Sequence, residues 1–284
     1  MRTRATILAL ALALPLLACG DDNGGGSPPP GRYGPGGDEG EQRGSPPPGR
    51  YGPGGDVAGH RPPAAPRVLV FSRTTAFRHA DAIDAGRAAL ERELGAEATD
   101  DPARFSAGGL DDVDVVVLLQ TNGDGVLTGE QRDAFEDWVR GGGGVVAIHA
   151  AANADRDWPW YGELLGGARF RNHPPGELQF QPATVHVEDP DHPATADLPP
   201  RWERTDEWYN FAPEPDAHVL ATLDEREYEE DDGTAAADPH PIAWTTTIGG
   251  GRSLYTALGH GADAWDDPLY RAHVLGSIEW AAGA

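Results

Sequence analysis

Gly142-Gly143-Gly144-Val145-Val146-Ala147-Ile148-His149-Ala150-Ala151 is the stretch that decides the fold. An unbroken aliphatic run behind a glycine cluster reads as a strand buried on both faces, the kind found in parallel sheets. Two more such runs lie upstream, Arg67 to Ser72 after Pro66, and Val113 to Leu119. Helical patterns separate them. From Asp81 to Leu94, the residues Ile83, Arg87, Leu90 and Leu94 recur at helical spacing, and Gly95 stands where a left-handed C-terminal cap belongs. Thr128-Gly129-Glu130-Gln131 is a capping-box pattern. The helix it opens places Phe135, Trp138 and Val139 on one face, and Gly141 to Gly144 ends it. Strands alternating with helices predict an α/β domain with a mostly parallel sheet, helices on both faces and right-handed crossovers.

The C-terminal half is less regular. Thr184 to Val187 and His218 to Leu223 read as strands. Pro241–Thr247 and Arg252–Leu258, joined through Gly249-Gly250-Gly251, read as an added hairpin. Pro268 to Ala282 reads as a closing helix that buries Leu269, Val274, Leu275, Ile278 and Trp280.

The N-terminal part has a different character. Arg2 and Arg4 precede an apolar run from Ala5 to Ala18, and Leu16-Leu17-Ala18-Cys19 closes it. A short basic region, an apolar region and a small residue before the cut make a secretory signal. The ending is similar to a bacterial lipobox, which implies cleavage before Cys19 and lipid attachment to its thiol. From Gly20 to Pro66 the chain is Gly, Pro, Ser and charge, and Gly44–Asp56 repeats Gly26–Asp38 residue for residue. Such a composition cannot bury enough surface to fold. As a flexible coil it would span roughly 35–40 Å. The expected plan is a signal peptide over 1–18, a tether over 19–66 and one domain over 67–284. The expected location is extracytoplasmic, anchored to a membrane at the cell surface or in the periplasm.

Composition excludes several functions. The formal charge is −24, every basic residue is arginine, and Cys19 is the one cysteine. A nucleic-acid partner needs a positive surface and is not expected. No internal disulfide and no cysteine-bearing metal site can form. The acidic run Glu225 to Asp232 reads as a solvated surface loop.

In open α/β sheets, ligands bind beyond the carboxyl ends of the strands. Here His79, His149 and His260 directly follow strands. Three histidines on one rim suit a divalent metal, zinc first, or a general acid/base pair. Asp206 and Glu207 supply carboxylates as ligand or base. With His149 they are the candidate catalytic groups. Phe77, Arg78, Trp158, His173 and Tyr209 are the candidate substrate contacts, although Trp158, Trp160 and Tyr161 suit packing of a short helix better than ligand contact. His173 and His192 each precede proline, which suits a turn, and His192 is read only as that. His60, His186, His218, His240 and His273 carry no expected role. His149 also occupies the position where α/β-hydrolases and glutamine amidotransferases seat a nucleophile. No Ser or Cys stands there, so a covalent mechanism is not expected.

Seven segments in order resemble the ThuA-like family, named for trehalose utilisation. They are Thr75–His79, Gly142–Ala151, Trp160–Gly167, Asp191-His192-Pro193, Asp206-Glu207-Trp208-Tyr209, Pro241-Ile242-Ala243-Trp244 and Leu258-Gly259-His260. Where the family shows Asp-Glu-Leu-Tyr, this chain has Trp208 in place of the leucine. The resemblance implies a flavodoxin-like, class I glutamine amidotransferase-like sheet without the amidotransferase cysteine. It also implies a link to carbohydrate metabolism and to 3-keto sugar intermediates. Two functions follow as expectations: an enzyme acting on an oxidised glycoside as hydrolase, lyase or isomerase, or a non-catalytic sugar-binding lipoprotein.

Overall fold

The computed structural model describes residues 65–229 and 239–283. The expected signal peptide, Cys19, nearly all of the expected tether and the last three residues of the acidic run, 230–232, lie outside the described residues.

The elements are β1 (Val68–Phe71), α1 (Ala80–Leu94), β2 (Glu97–Thr99), β3 (Val115–Leu119), α2 (Glu130–Arg140), β4 (Gly144–Ile148), α3 (Pro159–Leu164), β5 (Phe170–Asn172), β6 (Gln181–Val187), β7 (Arg201–Asp206), β8 (Asn210–Phe211), β9 (His218–Leu223), β10 (His240–Ile248), β11 (Gly251–Thr256) and α4 (Pro268–Ala281). Nine strands form one sheet in the order β2-β1-β3-β4-β11-β10-β9-β6-β7. The first five pair in parallel. Their order is that of a flavodoxin-like doubly wound sheet. The other four pair antiparallel. The addition is therefore a four-stranded wing that continues the sheet, larger than the single hairpin expected.

Strands β1, β3 and β4 are buried at every position, as their aliphatic runs require. Helices must cover both faces of such a sheet. α1 and α4 both pack on the Ala262–Asp266 turn. α2 and α3 meet through the edge-on contact of Phe135 with Trp160.

Local signals were partly right. Gly95 ends α1 at φ +66°, its amide donating to the Glu91 carbonyl and the Ala96 amide to that of Leu90. The capping box is half formed. Gln131 accepts from the Thr128 amide at 3.2 Å, but Gly129 at φ +48° is the cap residue and offers no side chain. In α4 the buried face is Tyr270, His273, Val274, Ser277, Ile278 and Ala281, whereas Leu269, Leu275 and Trp280 are only partly buried. The acidic run is not wholly solvated. The Glu225 side chain is buried and lies 2.8 Å from His240, which also meets the Tyr228 hydroxyl at 3.0 Å.

Candidate metal centre

Four strand ends and one helix start meet at a single rim. His149 directly follows β4, adopts φ +50° and has no exposed surface. A left-handed non-glycine residue costs about 1–2 kcal/mol, so the surroundings must impose it. They do. The Tyr255 hydroxyl donates to the His149 carbonyl at 3.0 Å. Gln120, itself at φ +57° at the end of β3, accepts from the Ala150 amide at 3.3 Å. The same Gln120 donates to the Gly259 carbonyl at 2.7 Å and so ties the β4 turn to the loop that carries His260. His79 precedes α1 as its cap residue.

Glu207 follows β7. Its Oε2 lies 3.1 Å from Nε2 of His149 and 2.9 Å from Nδ1 of His260, and those two nitrogens are 3.2 Å apart. His79 stands edge-on to both imidazoles, with ring centres 5.3 Å and 4.6 Å away. Each of His79, His149, Glu207 and His260 offers one donor atom, and the four atoms lie within 4.8 Å of one another.

The donor set fits a cation. Nδ1 of His149 is 2.6 Å from the Ala257 carbonyl, which can only accept, so that nitrogen carries the hydrogen. In the neutral ring, Nε2 then presents a lone pair to a carboxylate oxygen and to a second imidazole. A proton or a metal ion must lie between them for the arrangement to be favourable. Metal-bound histidines are oriented in this way, through the second ring nitrogen on a backbone carbonyl. Nδ1 of His79 is buried with no hydrogen-bond partner among the described residues. Burial first, then the neighbouring His149 and His260, push His79 down to about 3, which leaves it neutral and able to coordinate at pH 7. Burial would raise the Glu207 carboxyl. The positive charge that the His149 and His260 imidazoles share with it, as a proton or a bound cation, outweighs that and holds it well below the usual carboxylate range.

Other expected residues divide. Asp206 is not a donor to this group. Its two oxygens accept from the amides of Glu207, Gly259 and His260 and from Arg204, at 2.8–3.1 Å. It fixes the His260 loop and has no free oxygen for a ligand or base role. Tyr209 is at the centre, its ring 4.1 Å from that of His149. Burial, and then the adjacent Glu207 charge, keep its phenol well above 10. His173 borders the group, with Nδ1 3.4 Å from Oε1 of Glu207 and its ring stacked on Tyr209. Phe77 stands edge-on to His79 at 4.8 Å.

Arg78 is turned to the end of β1, where it donates to the Ser72 carbonyl at 2.8 Å and meets Asp100. Trp158 packs on Trp160 at 4.9 Å and under Arg132 at 5.2 Å, so packing and not sugar contact explains it. His192 is the turn residue expected, accepting from the Ala194 amide at 3.1 Å. Two neighbours escaped the sequence reading. Gln179 donates to Oε1 of Glu207, and Phe180 stands edge-on to His260 at 4.9 Å. The alternation of Leu178 and Phe180 ahead of β6 was the available signal.

A flavodoxin-like α/β sheet with a histidine–glutamate group at the nucleophile position defines the class. Within it, the chain belongs to the ThuA family, described as trehalose utilisation, whose model matches residues 67–281. The fold is similar to that of a ThuA-like protein from Bacteroides uniformis, at 26% identity and TM-score 0.66, covering 80% of this chain and 95% of that one. A ThuA-like protein from Parabacteroides merdae matches at 20% identity and TM-score 0.62, covering 77% and 90%. A β-galactosidase from Bacillus circulans matches at 14% identity and TM-score 0.50, over 76% of this chain and 31% of that one, a likeness of fold alone. No curated protein matches the sequence. The ThuA domain points to a carbohydrate-related role, and the buried histidine–glutamate group could hold a metal.

Proposed function

We propose that this chain is an extracytoplasmic lipoprotein, anchored through Cys19, whose ThuA domain performs metal-assisted chemistry on an oxidised glycoside. The observation that carries the catalytic part is the lone pair of His149 Nε2 facing the Glu207 carboxylate. His79, His149, Glu207 and His260 hold the ion, with zinc the first candidate for three imidazoles and a carboxylate. A divalent ion there would polarise a carbonyl oxygen of the sugar.

The chain's own groups supply the rest. His173 is half-buried, lies outside the ligand group and keeps its Nδ1 on the Pro174 carbonyl and Glu207. That leaves Nε2 as the proton acceptor. It takes the proton from C2 of a 3-keto glycoside. The electron pair forms the C1–C2 double bond as the C1–O bond breaks, and the departing oxygen takes up a proton. Tyr209, protonated throughout, is a donor beside the Glu207 carboxylate.

Metal content and turnover of 3-keto disaccharides test this together. The expected result is about one divalent ion per chain and product formation, both lost in His149→Ala. Metal-free wild type with full turnover overturns the metal role. Metal-loaded protein that binds sugar without forming product favours a binding lipoprotein. The anchor is tested separately: Cys19→Ser should move the protein from the membrane fraction to the soluble one.

A further inference from the structure

β7 is the last strand of the sheet, and β6 is its only neighbouring strand among the described residues. The partners of β6 fix which backbone groups of β7 stay open. Odd-numbered residues of β6 face β7, since the Val187 amide donates to the Pro200 carbonyl at 3.1 Å. Even-numbered residues face the other way. The Thr184 amide donates to Glu227 at 2.7 Å, and the Glu188 amide, just past β6, to the Leu220 carbonyl at 2.9 Å. In the antiparallel register Ala183 stands opposite Arg204 and Thr184 opposite Glu203. The backbone groups of Trp202, Arg204 and Asp206 therefore point at β6, and those of Arg201, Glu203 and Thr205 point off the sheet. The outward groups have no hydrogen-bond partner among the described residues.

An open edge invites a second strand, and proteins commonly block it with proline, a bulge or charge. β7 has no proline and pairs with β6 along its whole length without a register shift. Charge remains, and here it has a pattern. Arg201, Glu203 and Thr205 form the exposed face, and Trp202 and Asp206 are buried on the other. Arg201 meets Glu227 at 3.5 Å, and Glu203 has no ion-pair partner among the described residues.

Opposite charges two residues apart complement each other when a strand meets its own copy antiparallel. A two-fold axis normal to the sheet keeps every side chain on its own face. With Trp202 on that axis, Arg201 of each copy stands opposite Glu203 of the other, and these are the residues whose backbone groups are free. An axis at Glu203 would set two glutamates against each other, and an axis at Arg201 or Arg204 two arginines. One register alone is favourable.

We propose that the chain forms a two-fold dimer through β7, joining two sheets edge to edge with Trp202 at the axis and an Arg201–Glu203 pair on either side. About four new backbone hydrogen bonds form between the outward groups of Arg201 and Glu203. The second strand also braces β7 from its open side, and β7 is the strand that ends at Asp206 and delivers Glu207.

The test is sedimentation of the full chain in detergent, with the micelle's mass matched out. Physiological ionic strength screens the long-range repulsion between two acidic chains. Wild type is expected to be a dimer. Glu203→Arg sets like charges opposite each other and should weaken the dimer at least about ten-fold, and Arg201→Glu should do the same. The double variant Arg201→Glu/Glu203→Arg reverses both members of each pair and should regain the wild-type dissociation constant. A merely structural role for either side chain does not predict that recovery. A monomeric wild type overturns the proposal. A dimer undiminished in both single variants, or a double variant that stays monomeric, overturns it as well.

Discussion

Nε2 of His149 lies 3.1 Å from Oε2 of Glu207, while the opposite nitrogen of the same ring is fixed on the Ala257 carbonyl. This pair joins the end of the parallel half of the sheet to the end of its far edge strand, and every other site residue is arranged around it. Glu207 is almost wholly buried. An isolated buried carboxylate is costly, so a proton or a metal ion shared with the surrounding imidazoles must offset its burial.

The loop that brings His260 to this pair depends on Asp206. Asp206→Asn replaces an oxygen that accepts from Arg204 and from the Gly259 amide with a donor. A loss of about 1–3 kcal/mol in urea unfolding is expected. Metal affinity, read by chelator competition, should fall with it. Unchanged stability would show that the Asp206 bonds are not what holds the loop.

A second buried network lies behind Tyr209. His240 bridges the Glu225 carboxylate at 2.8 Å and the Tyr209 carbonyl at 2.8 Å. His240→Phe leaves a buried carboxylate without its partner, and a loss of about 3 kcal/mol is expected. The double variant Glu225→Leu/His240→Phe should be less destabilised than His240→Phe alone, measured by a double-mutant cycle. Strict additivity would contradict the pairing.

His273 in α4 sets part of the pH dependence of stability. Burial lowers its pKa to about 4, against the opposing hydrogen bond to the Ala194 carbonyl. The unfolded chain, with an ordinary histidine, therefore takes up the proton first as pH falls. Stability is full above about pH 6.5, is lost progressively down to about pH 4 and changes no further below. The full effect is roughly 3 kcal/mol. Urea unfolding at pH 7 and pH 5 should show a smaller difference in His273→Gln than in wild type. An equal difference would assign the effect to other groups.

The parallel half of the fold was legible because its strands are buried on both faces and therefore read as aliphatic runs. The histidines were legible because each directly follows such a run. β7 was not, since Arg201-Trp202-Glu203-Arg204-Thr205-Asp206 carries charges on an edge strand. That hid both the size of the antiparallel wing and the separate work of Asp206 and Glu207. Adjacent acids on an extended chain point opposite ways, and only the tertiary setting shows that Glu207 meets the histidines while Asp206 meets backbone amides. Trp158 misled for a related reason: an aromatic near a strand end suits a core as well as a sugar. Glu225 misled because its neighbours are acidic, although its own carboxylate is buried against His240.

In the proposed centre, His79, His149, Glu207 and His260 together hold one metal ion. Anomalous diffraction from crystals of protein purified without chelator, collected at the metal's absorption edge, tests it most directly. One peak is expected about 2.0–2.2 Å from a donor atom of each of the four residues, absent in Glu207→Gln. A metal-replete protein with its anomalous peak elsewhere, or no peak in wild-type crystals, would contradict it.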